Sequence, residues 1–193
     1  MNNFVIWQFQ SVPHSCLLKN LTGVEKKYTL FKGITLEQSF PQDAAFHMDP
    51  DFPKDLLLTD NLANPLSCMV VSARLAGALR DHKVDHLEYL PVAIIDHKGN
   101  VASKDYFILN PLDLVDCIDR KKSKFKASAI LPDEITRFEK LVIEESAVSE
   151  DRQLFRMKGF GNIALVGKRL ADSLTKGNFT GLGWRAISKY PKG

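Results

Sequence analysis

Val71-Ser72-Ala73-Arg74-Leu75-Ala76-Gly77-Ala78-Leu79 is matched ninety-five residues later by Val166-Gly167-Lys168-Arg169-Leu170-Ala171-Asp172-Ser173-Leu174. Each stretch places apolar residues at i, i+4 and i+8, a spacing typical of a helix that packs one face against a sheet. An apolar, strand-like pattern follows both stretches at the same offset, and repetition at a fixed offset indicates one supersecondary unit used twice. The sequence therefore predicts a helix–strand repeat over residues 71–89 and 166–184.

The composition is typical of a folded protein in a reducing compartment. The 193 residues are 45% hydrophobic, and a net charge of +3 indicates no general attraction to nucleic acid or membranes. The three cysteines form no Cys-x-x-Cys pair, no apolar run reaches the ~18 residues of a membrane helix, and the N-terminal residues lack the pattern of a secretory signal. We therefore expect a cytoplasmic protein that has no membrane partner.

The chain before residue 66 differs in composition from the rest. Pro41, Pro50, Pro53 and Pro65 stand among Asp and Asn residues, which blocks long regular elements. We therefore expect N-terminal strands and a Pro-rich excursion over residues 1–65, and a main domain over residues 66–193. Within the main domain, Pro91 interrupts a strand pattern and indicates an edge position or a bulge.

Strand patterns come in runs and do not alternate one-for-one with helices. They cover residues 4–7, 28–31, 86–96, 106–109, 114–118, 125–131, 138–143, 154–157 and 163–166. Such runs predict an α+β fold, with a mostly antiparallel sheet, two repeat-related helices packed on it and a small N-terminal lobe.

Cys117 and the acids beside it are the candidates for catalysis. The carboxylates of Asp116 and Asp119 disfavour the thiolate that a nucleophilic Cys117 needs, so we favour a buried structural cysteine. If the segment is a strand, Asp116 and Asp119 point to opposite faces, which argues against their use as an acid/base or metal pair. Asp119 and Ser123 are instead suited to bonding the backbone of the turn between them.

His82 and His86 have the i, i+4 spacing of metal ligands on a helix, but the repeat places His86 in the next strand and no third ligand is spaced to match. Phosphate-binding, nucleophile-elbow and zinc motifs are missing from the sequence. We therefore predict no catalytic residue, no cofactor and no metal site. A small hydrolase using Cys117 or the Asp116/Asp119 pair is kept as an alternative.

Two neighbouring stretches carry opposite charge. Residues 119–128 hold five cations against one acid, a local charge of +4, and residues 132–151 hold seven acids against two cations, a local charge of −5. The basic stretch around Phe125 fits either a nucleic-acid contact or a charged strand edge that discourages aggregation, and we favour the edge. The acidic stretch is either a polar connection or a partner-facing patch.

The order of motifs over about residues 66–187 resembles a known family. The motifs are Val71-Ser72 opening a helix, Glu88-Tyr89-Leu90-Pro91-Val92, Tyr106-Phe107-Ile108-Leu109-Asn110-Pro111, Asp116-Cys117-Ile118-Asp119-Arg120, Leu154-Phe155-Arg156-Met157, and Thr180-Gly181-Leu182 before Trp184. They resemble immunity protein family eleven of the bacterial polymorphic toxin systems, formerly a domain of unknown function.

The resemblance implies a cytoplasmic protein that binds and neutralises a cognate toxin and so protects the producing cell and its kin. It supplies no catalytic residues, so we expect no enzyme. Asp116, Asp119 and Ser123 match polar positions of the family pattern, whose role in folding or binding is left open. The family pattern has serine where this chain has Gly167, and residues 1–65 match it least.

We expect the toxin contact to lie in the acidic stretch, at Glu144, Glu145, Glu150 and Asp151, which would cover a basic substrate site on the toxin. An accessory protein that binds nucleic acid through residues 120–126 is the other alternative, although nucleic acid is not the expected partner. Association of two copies into a homodimer is left open.

Overall fold

The structure, a computed structural model, describes residues 3–191, which contain twelve strands and two α-helices. The strands are β1 (Phe4–Phe9), β2 (Leu18–Thr22), β3 (Ala45–Met48), β4 (Asn61–Leu62), β5 (Met69–Ser72), β6 (Leu87–Ile95), β7 (Val101–Pro111), β8 (Lys124–Ala127), β9 (Ile135–Lys140), β10 (Leu154–Met157), β11 (Phe160–Gly167) and β12 (Leu182–Ala186). The helices are α1 (Ala73–Asp81) and α2 (Lys168–Lys176), and short 3-10 helices cover Lys27–Phe31, Glu145–Ala147 and Ile187–Lys189.

The strands form two main sheets and one hairpin. The six-stranded sheet has the order β2-β3-β6-β7-β5-β4, the four-stranded sheet has the order β10-β11-β1-β12, and β8 pairs with β9. All strand pairs are antiparallel except β3 with β6. The fold is therefore α+β and mostly antiparallel, with two main sheets where the sequence predicted one.

Each main sheet contains one copy of a duplicated unit. In the first copy β7 lies between β5 and β6, and in the second copy β1 lies between β11 and β12. Shifts of 95 residues for the outer strands and 102 residues for the central strand superpose the pairing: Val71 with Phe107 corresponds to Val166 with Val5, and Tyr89 with Leu109 corresponds to Trp184 with Trp7. The copies are circular permutations, since the central strand follows the helix in one and precedes it in the other.

The turns after the two helices also share their backbone conformation. Lys83 and Asn178, ninety-five residues apart, have φ angles of 51° and 50°, and His86 and Gly181 have φ angles of 55° and 75°. Left-handed backbone is costly for residues other than glycine. Its recurrence at matched positions with different side chains shows that the unit's geometry is kept where the sequence has changed.

Both helices bury the same helical positions in one central core. Leu75, Ala76 and Leu79 of α1 correspond to Leu170, Ala171 and Leu174 of α2, and all six are buried. They pack with residues from one face of each sheet, such as Val71 and Trp7. The helices thus join the two sheets through their apolar stripes.

The opposite face of each sheet is also buried, because successive residues of a strand point to alternate faces. Val70 and Ile108 pack beneath residues 10–68, which we call the first insert. Ile6 and Leu165 pack beneath residues 112–159, which we call the second insert. Each copy is therefore covered by its own insert.

The N-terminal residues do not form the separate lobe predicted for residues 1–65. Among the described residues of that range, β1 lies in the middle of the four-stranded sheet, and β3 pairs with β6. The apolar side chains of the Pro-rich stretch cover the first copy, so a boundary at residue 65 would divide a continuous core. Residues 28–31, predicted as a strand, lie in the 3-10 helix Lys27–Phe31.

Candidate partner-binding surface

The turn between Cys117 and β8 is held by Asp119. The backbone N–H groups of Lys121 and Lys122 donate to its Oδ1 at 3.1 and 3.0 Å, and the Lys122 Nζ lies 2.9 Å from its Oδ2. The hydrogen bonds from Lys122 lower the pKa of the Asp119 carboxyl below its usual range. Asp119 therefore shapes this turn by local side-chain to backbone bonding.

Ser123 fastens the same turn to the segment that follows β9. Its Oγ donates to the Val142 carbonyl at 3.0 Å and accepts from the Val142 N–H at 3.0 Å, and the Asp119 N–H donates to the same carbonyl. Asp116 is exposed, with its Oδ2 3.9 Å from the Lys158 Nζ. The structure thus gives Asp119 and Ser123 shared contacts and leaves Asp116 outside them.

Cys117 is buried within the core beneath the second insert. Burial, and to a smaller extent the neighbouring Asp116 carboxylate, raise the pKa of its thiol to about 12. A thiol with this pKa holds almost no thiolate at neutral pH, and the thiolate is the nucleophilic form. The environment of Cys117 therefore favours a structural cysteine over a nucleophile.

The acidic segment, residues 144–151, lies near the C-terminal end of the second insert. Glu145 accepts hydrogen bonds from the N–H and the Nδ2 of Asn3, both at 2.9 Å, while Glu144, Glu150 and Asp151 are exposed. Three of the four predicted contact acids are therefore free to face a partner, and Glu145 is engaged with the N-terminal strand.

A surface groove of about 660 Å³ runs beside this segment. Glu145 and Glu150 line it together with Lys168 and Arg169 from the start of α2. Opposite charges in one groove partly cancel the field that a partner would meet. The groove therefore presents a mixed charge to a partner.

A second charged surface, the basic hairpin, is made by β8 and β9. Lys126 lies opposite Arg137, Lys124 lies opposite Lys140, and all four side chains are exposed. Sequence reasoning missed Arg137 and Lys140, because both lie within the stretch counted as acidic. The signal that could have found them is the alternation of charged residues with Phe138 along a strand pattern.

The aromatic residue of the basic stretch faces inward. The Phe125 ring packs edge-on to the Phe138 ring, with 5.9 Å between centroids, and the Arg120 guanidinium lies 5.7 Å from the Phe125 centroid. Nucleic-acid surfaces use exposed rings on which bases stack. Phe125 is not placed for this contact, which favours the charged-edge interpretation of the basic stretch.

Asp60 forms the main polar junction between the two copies, and the sequence did not single it out. Its carboxylate accepts from Ser72 Oγ at 2.7 Å, from Arg74 Nη2 at 2.8 Å, and from the N–H and hydroxyl of Thr180 at 2.9 Å each. Burial acts to raise its pKa, but the bonds from Arg74, Ser72 and Thr180 outweigh burial and lower the pKa to about 2.

Arg156 is a buried cation without a carboxylate partner in the described part of the chain. Its guanidinium donates to the carbonyls of Gly161 and Ser67 and lies 4.9 Å from the centroid of the Phe31 ring. Burial lowers its pKa to about 10. These contacts connect the two inserts, which assigns Arg156 a structural role.

Comparison with known families tests the resemblance that the motifs predicted. The model of the Immunity protein family (Imm11) matches residues 13–189 of the 193-residue chain. The chain belongs to the Imm11 family. The match confirms the resemblance predicted from the motifs, and it extends that resemblance across nearly all of the first insert. No individual curated protein matches the chain.

Membership of Imm11 places this architecture in a family of immunity proteins. Within residues 3–191, the structure has no helix long and apolar enough to cross a membrane. In the same residues, no three His, Cys, Asp or Glu side chains are grouped so that they could hold a metal ion.

Proposed function

We propose that this chain is a cytoplasmic immunity protein that binds a cognate toxin and neutralises it through a protein–protein surface, without catalysis. The observation that carries the proposal is the Imm11 match over residues 13–189. The proposed partner is the toxin that the producing cell makes and must survive.

The arrangement of the core supports a role performed by the outer surface. Where the duplicated copies lie, each main sheet packs one face against the helices and the other against an insert. A stable inhibitor complex needs about 800 Å² of surface from each partner. A rigid framework of this kind presents such a surface with little loss of conformational entropy on binding.

The acidic segment is the proposed contact with a basic site on the toxin. Glu144, Glu150 and Asp151 are exposed, so their charges can meet a cationic surface. Charge complementarity mainly speeds association and selects among partners. Acids placed over a basic substrate site would also keep an anionic substrate out of that site.

The experiment requires the cognate toxin domain, which is to be sought among the genes that neighbour this one. The domain is expressed in bacteria alone, with the wild-type chain, or with a triple variant carrying Glu144→Lys, Glu150→Lys and Asp151→Lys. Glu145 is left unchanged because it bonds Asn3. A chain carrying Asp81→Lys and Asp85→Lys, two exposed acids beside α1, is the matched control.

Wild type and control should restore growth, and the triple variant should associate at least tenfold more slowly and protect less. Toxicity that persists with the wild-type chain would contradict the proposed function. Full protection by the triple variant would leave the function standing and reject the acidic segment as the contact.

A further inference from the structure

The loop that joins β8 to β9, residues 128–134, is the tip of the basic hairpin. We propose that this tip is a docking element, which inserts Ile130 and Leu131 into an apolar cleft of the toxin whose rim is acidic. The inference rests on the proposed function and adds a second contact to it. The occupant is thus a protein surface whose chemistry is complementary to the hairpin.

Two large apolar side chains of the tip point into solvent. Ile130 is 88% exposed and Leu131 is 55% exposed, and Ile130 is the most exposed large hydrophobic residue among those described. Single exposed apolar residues are common on protein surfaces. An adjacent pair at the end of a projecting hairpin is the arrangement that marks an interaction site.

The tip is held in its shape by hydrogen bonds. The Ser128 Oγ accepts from the N–H groups of Ile130 and Leu131 at 3.3 and 3.1 Å, and the Ser128 N–H donates to the Glu134 carbonyl at 2.8 Å. The Arg120 Nη2 donates to the Asp133 carbonyl at 2.8 Å. Because the loop is ordered before binding, little entropy is lost when the two side chains are buried.

The loop packs closely against Gly159. A Cβ at Gly159 would lie 2.7 Å from the Asp133 carbonyl oxygen and 3.1 Å from the Arg120 Nη2. The Ile135 N–H donates to the Gly159 carbonyl at 2.8 Å, which anchors the start of β9 at the same point. The tip is therefore attached to β11 through the residue before it, and its apolar side chains are left on the outside.

The cations behind the tip determine the charge of the partner. Lys126 faces Arg137 and Lys124 faces Lys140 across the hairpin, and like charges directly opposite each other destabilise a strand pair. Within residues 3–191 none of these four side chains forms an ion pair. Carboxylates on a partner would relieve this repulsion, so an acidic rim is the complementary surface.

A protein partner fits this surface better than nucleic acid does. The exposed side chains at the tip are aliphatic, and Phe125, the ring that could stack on a base, is turned towards Phe138 and Arg120. Aliphatic side chains gain their binding free energy from burial in an apolar cleft. Such clefts are a feature of protein surfaces.

The hairpin and the acidic segment adjoin each other. Ser123, at the base of β8, bonds Val142, and the Glu144 N–H donates to the Cys117 carbonyl at 2.7 Å. One partner can therefore meet the tip, the cations and the acids together. A contact with separate basic and acidic areas selects both the partner and its orientation.

The test compares two apolar pairs. The full chain carrying Ile130→Ser and Leu131→Ser is measured against the toxin domain by calorimetry or surface plasmon resonance. The control carries Ile34→Ser and Val101→Ser, which are 48% and 52% exposed in the wild-type chain and lie outside the second insert. Circular dichroism and thermal unfolding establish that both variants fold.

The tip variant should bind the toxin domain at least tenfold more weakly, since burial of one such side chain is worth about tenfold in affinity or more. The control should bind within about twofold of wild type, well inside the tenfold step that 1.4 kcal/mol represents. A chain carrying Lys126→Glu and Arg137→Glu should associate more slowly, and the salt dependence of its on-rate should differ from that of wild type.

Wild-type affinity in the tip variant, or an equal loss in tip variant and control, would overturn the inference while leaving the proposed function intact. Tight, salt-dependent binding of wild type to a short duplex DNA, abolished by the Lys126 and Arg137 changes, would replace the toxin cleft with nucleic acid. If the wild-type chain itself does not bind the toxin domain, the proposed function fails and the inference fails with it.

Discussion

The duplicated unit and the second insert differ in how well their charged and apolar side chains are satisfied within the molecule. In the unit, strand register, buried helix positions and left-handed turns recur at fixed offsets, and Asp60 of the first insert joins the two copies through bonds to Arg74 and Thr180. In the second insert, cations face cations across a hairpin, and Ile130 and Leu131 point into solvent. From this contrast we infer that the unit provides stability, and it is the reason why we propose the second insert as the surface that contacts the partner.

The largest expected effect tests whether the two copies share one core. Leu75→Ala and Leu170→Ala remove matched side chains of α1 and α2, both buried in the central core. Each substitution should lower the free energy of unfolding by about 2–5 kcal/mol, the range for large-to-small changes in cores. Urea denaturation measures the loss, and Ile130→Ser, in the second insert, should change it little. A small loss at one helix with a large loss at the other would break the equivalence.

The next effect tests the junction at Asp60. Its folded pKa of about 2 lies below the ordinary value of 3.8, so its contribution is full above pH 4 and disappears as the pH falls towards 2. Asp60→Asn should therefore cost about 2 kcal/mol near neutral pH, and the difference from wild type should shrink on acidification. Urea titrations at several pH values measure this, with the exposed Asp81→Asn as control. A difference independent of pH would contradict the assignment.

A smaller effect separates stability from binding in the basic hairpin. Lys126→Glu places an acid opposite Arg137, so it should raise the free energy of unfolding by up to about 1 kcal/mol while weakening association with the toxin. Arg137→Glu should act alike, and the double variant should lose the gain because two acids then face each other. Additive gains in the double variant would show that the opposed cations do not repel.

The smallest effect concerns the two helix starts. The Ser72 Oγ caps α1 by accepting from the Leu75 N–H at 3.2 Å, whereas Gly167 gives α2 no side-chain cap. An added Cβ at Gly167 meets nothing closer than 3.7 Å, so Gly167→Ser should fit. The gain should be a few tenths of a kcal/mol, a rise of about 1 °C in Tm by calorimetry. A fall in Tm would show that the helix starts differ in more than the cap.

The local features of the duplicated unit could be predicted from the sequence, because its apolar residues recur at a regular spacing. The apolar spacing of 71–79 and 166–174 predicts both helices, and the α+β class follows from the runs of strand patterns. Pro91 was expected at an edge or a bulge. It lies in β6 before the pairing with β3 begins at Ala93, and register shifts follow between Val92 and Ile95.

Residues 4–7 were predicted to form a strand, but the place of this strand in the second copy could not be found in this way. β1 pairs with β11 and β12 across most of the chain, and such long-range pairing leaves no local period in the sequence. The signal is the offset of 102 residues that relates Val5-Ile6-Trp7 to Phe107-Ile108-Leu109, visible once the register is known. This pairing is also why residues 1–65 were wrongly separated from the rest.

Only the acidic part of the candidate surface could be predicted, because the basic part also depends on strand pairing. Counting charge along the chain finds the acidic segment, but it assigns Arg137 and Lys140 to the acidic stretch. Strand pairing brings both to Lys126 and Lys124 and builds a basic face. Ile130 and Leu131 were included in a strand pattern over residues 125–131, whereas β8 ends at Ala127 and local hydrogen bonds to Ser128 Oγ form a turn there.

The central claim is that the duplicated unit provides stability and that the second insert binds the toxin. Amide hydrogen exchange of the full chain, with and without the toxin domain, tests this claim most directly. We expect new protection at residues 121–140 and 144–151, and unchanged exchange in the first insert, including residues 24–41. Protection confined to the first insert, with the second insert exchanging as in the free chain, would contradict this division of the molecule.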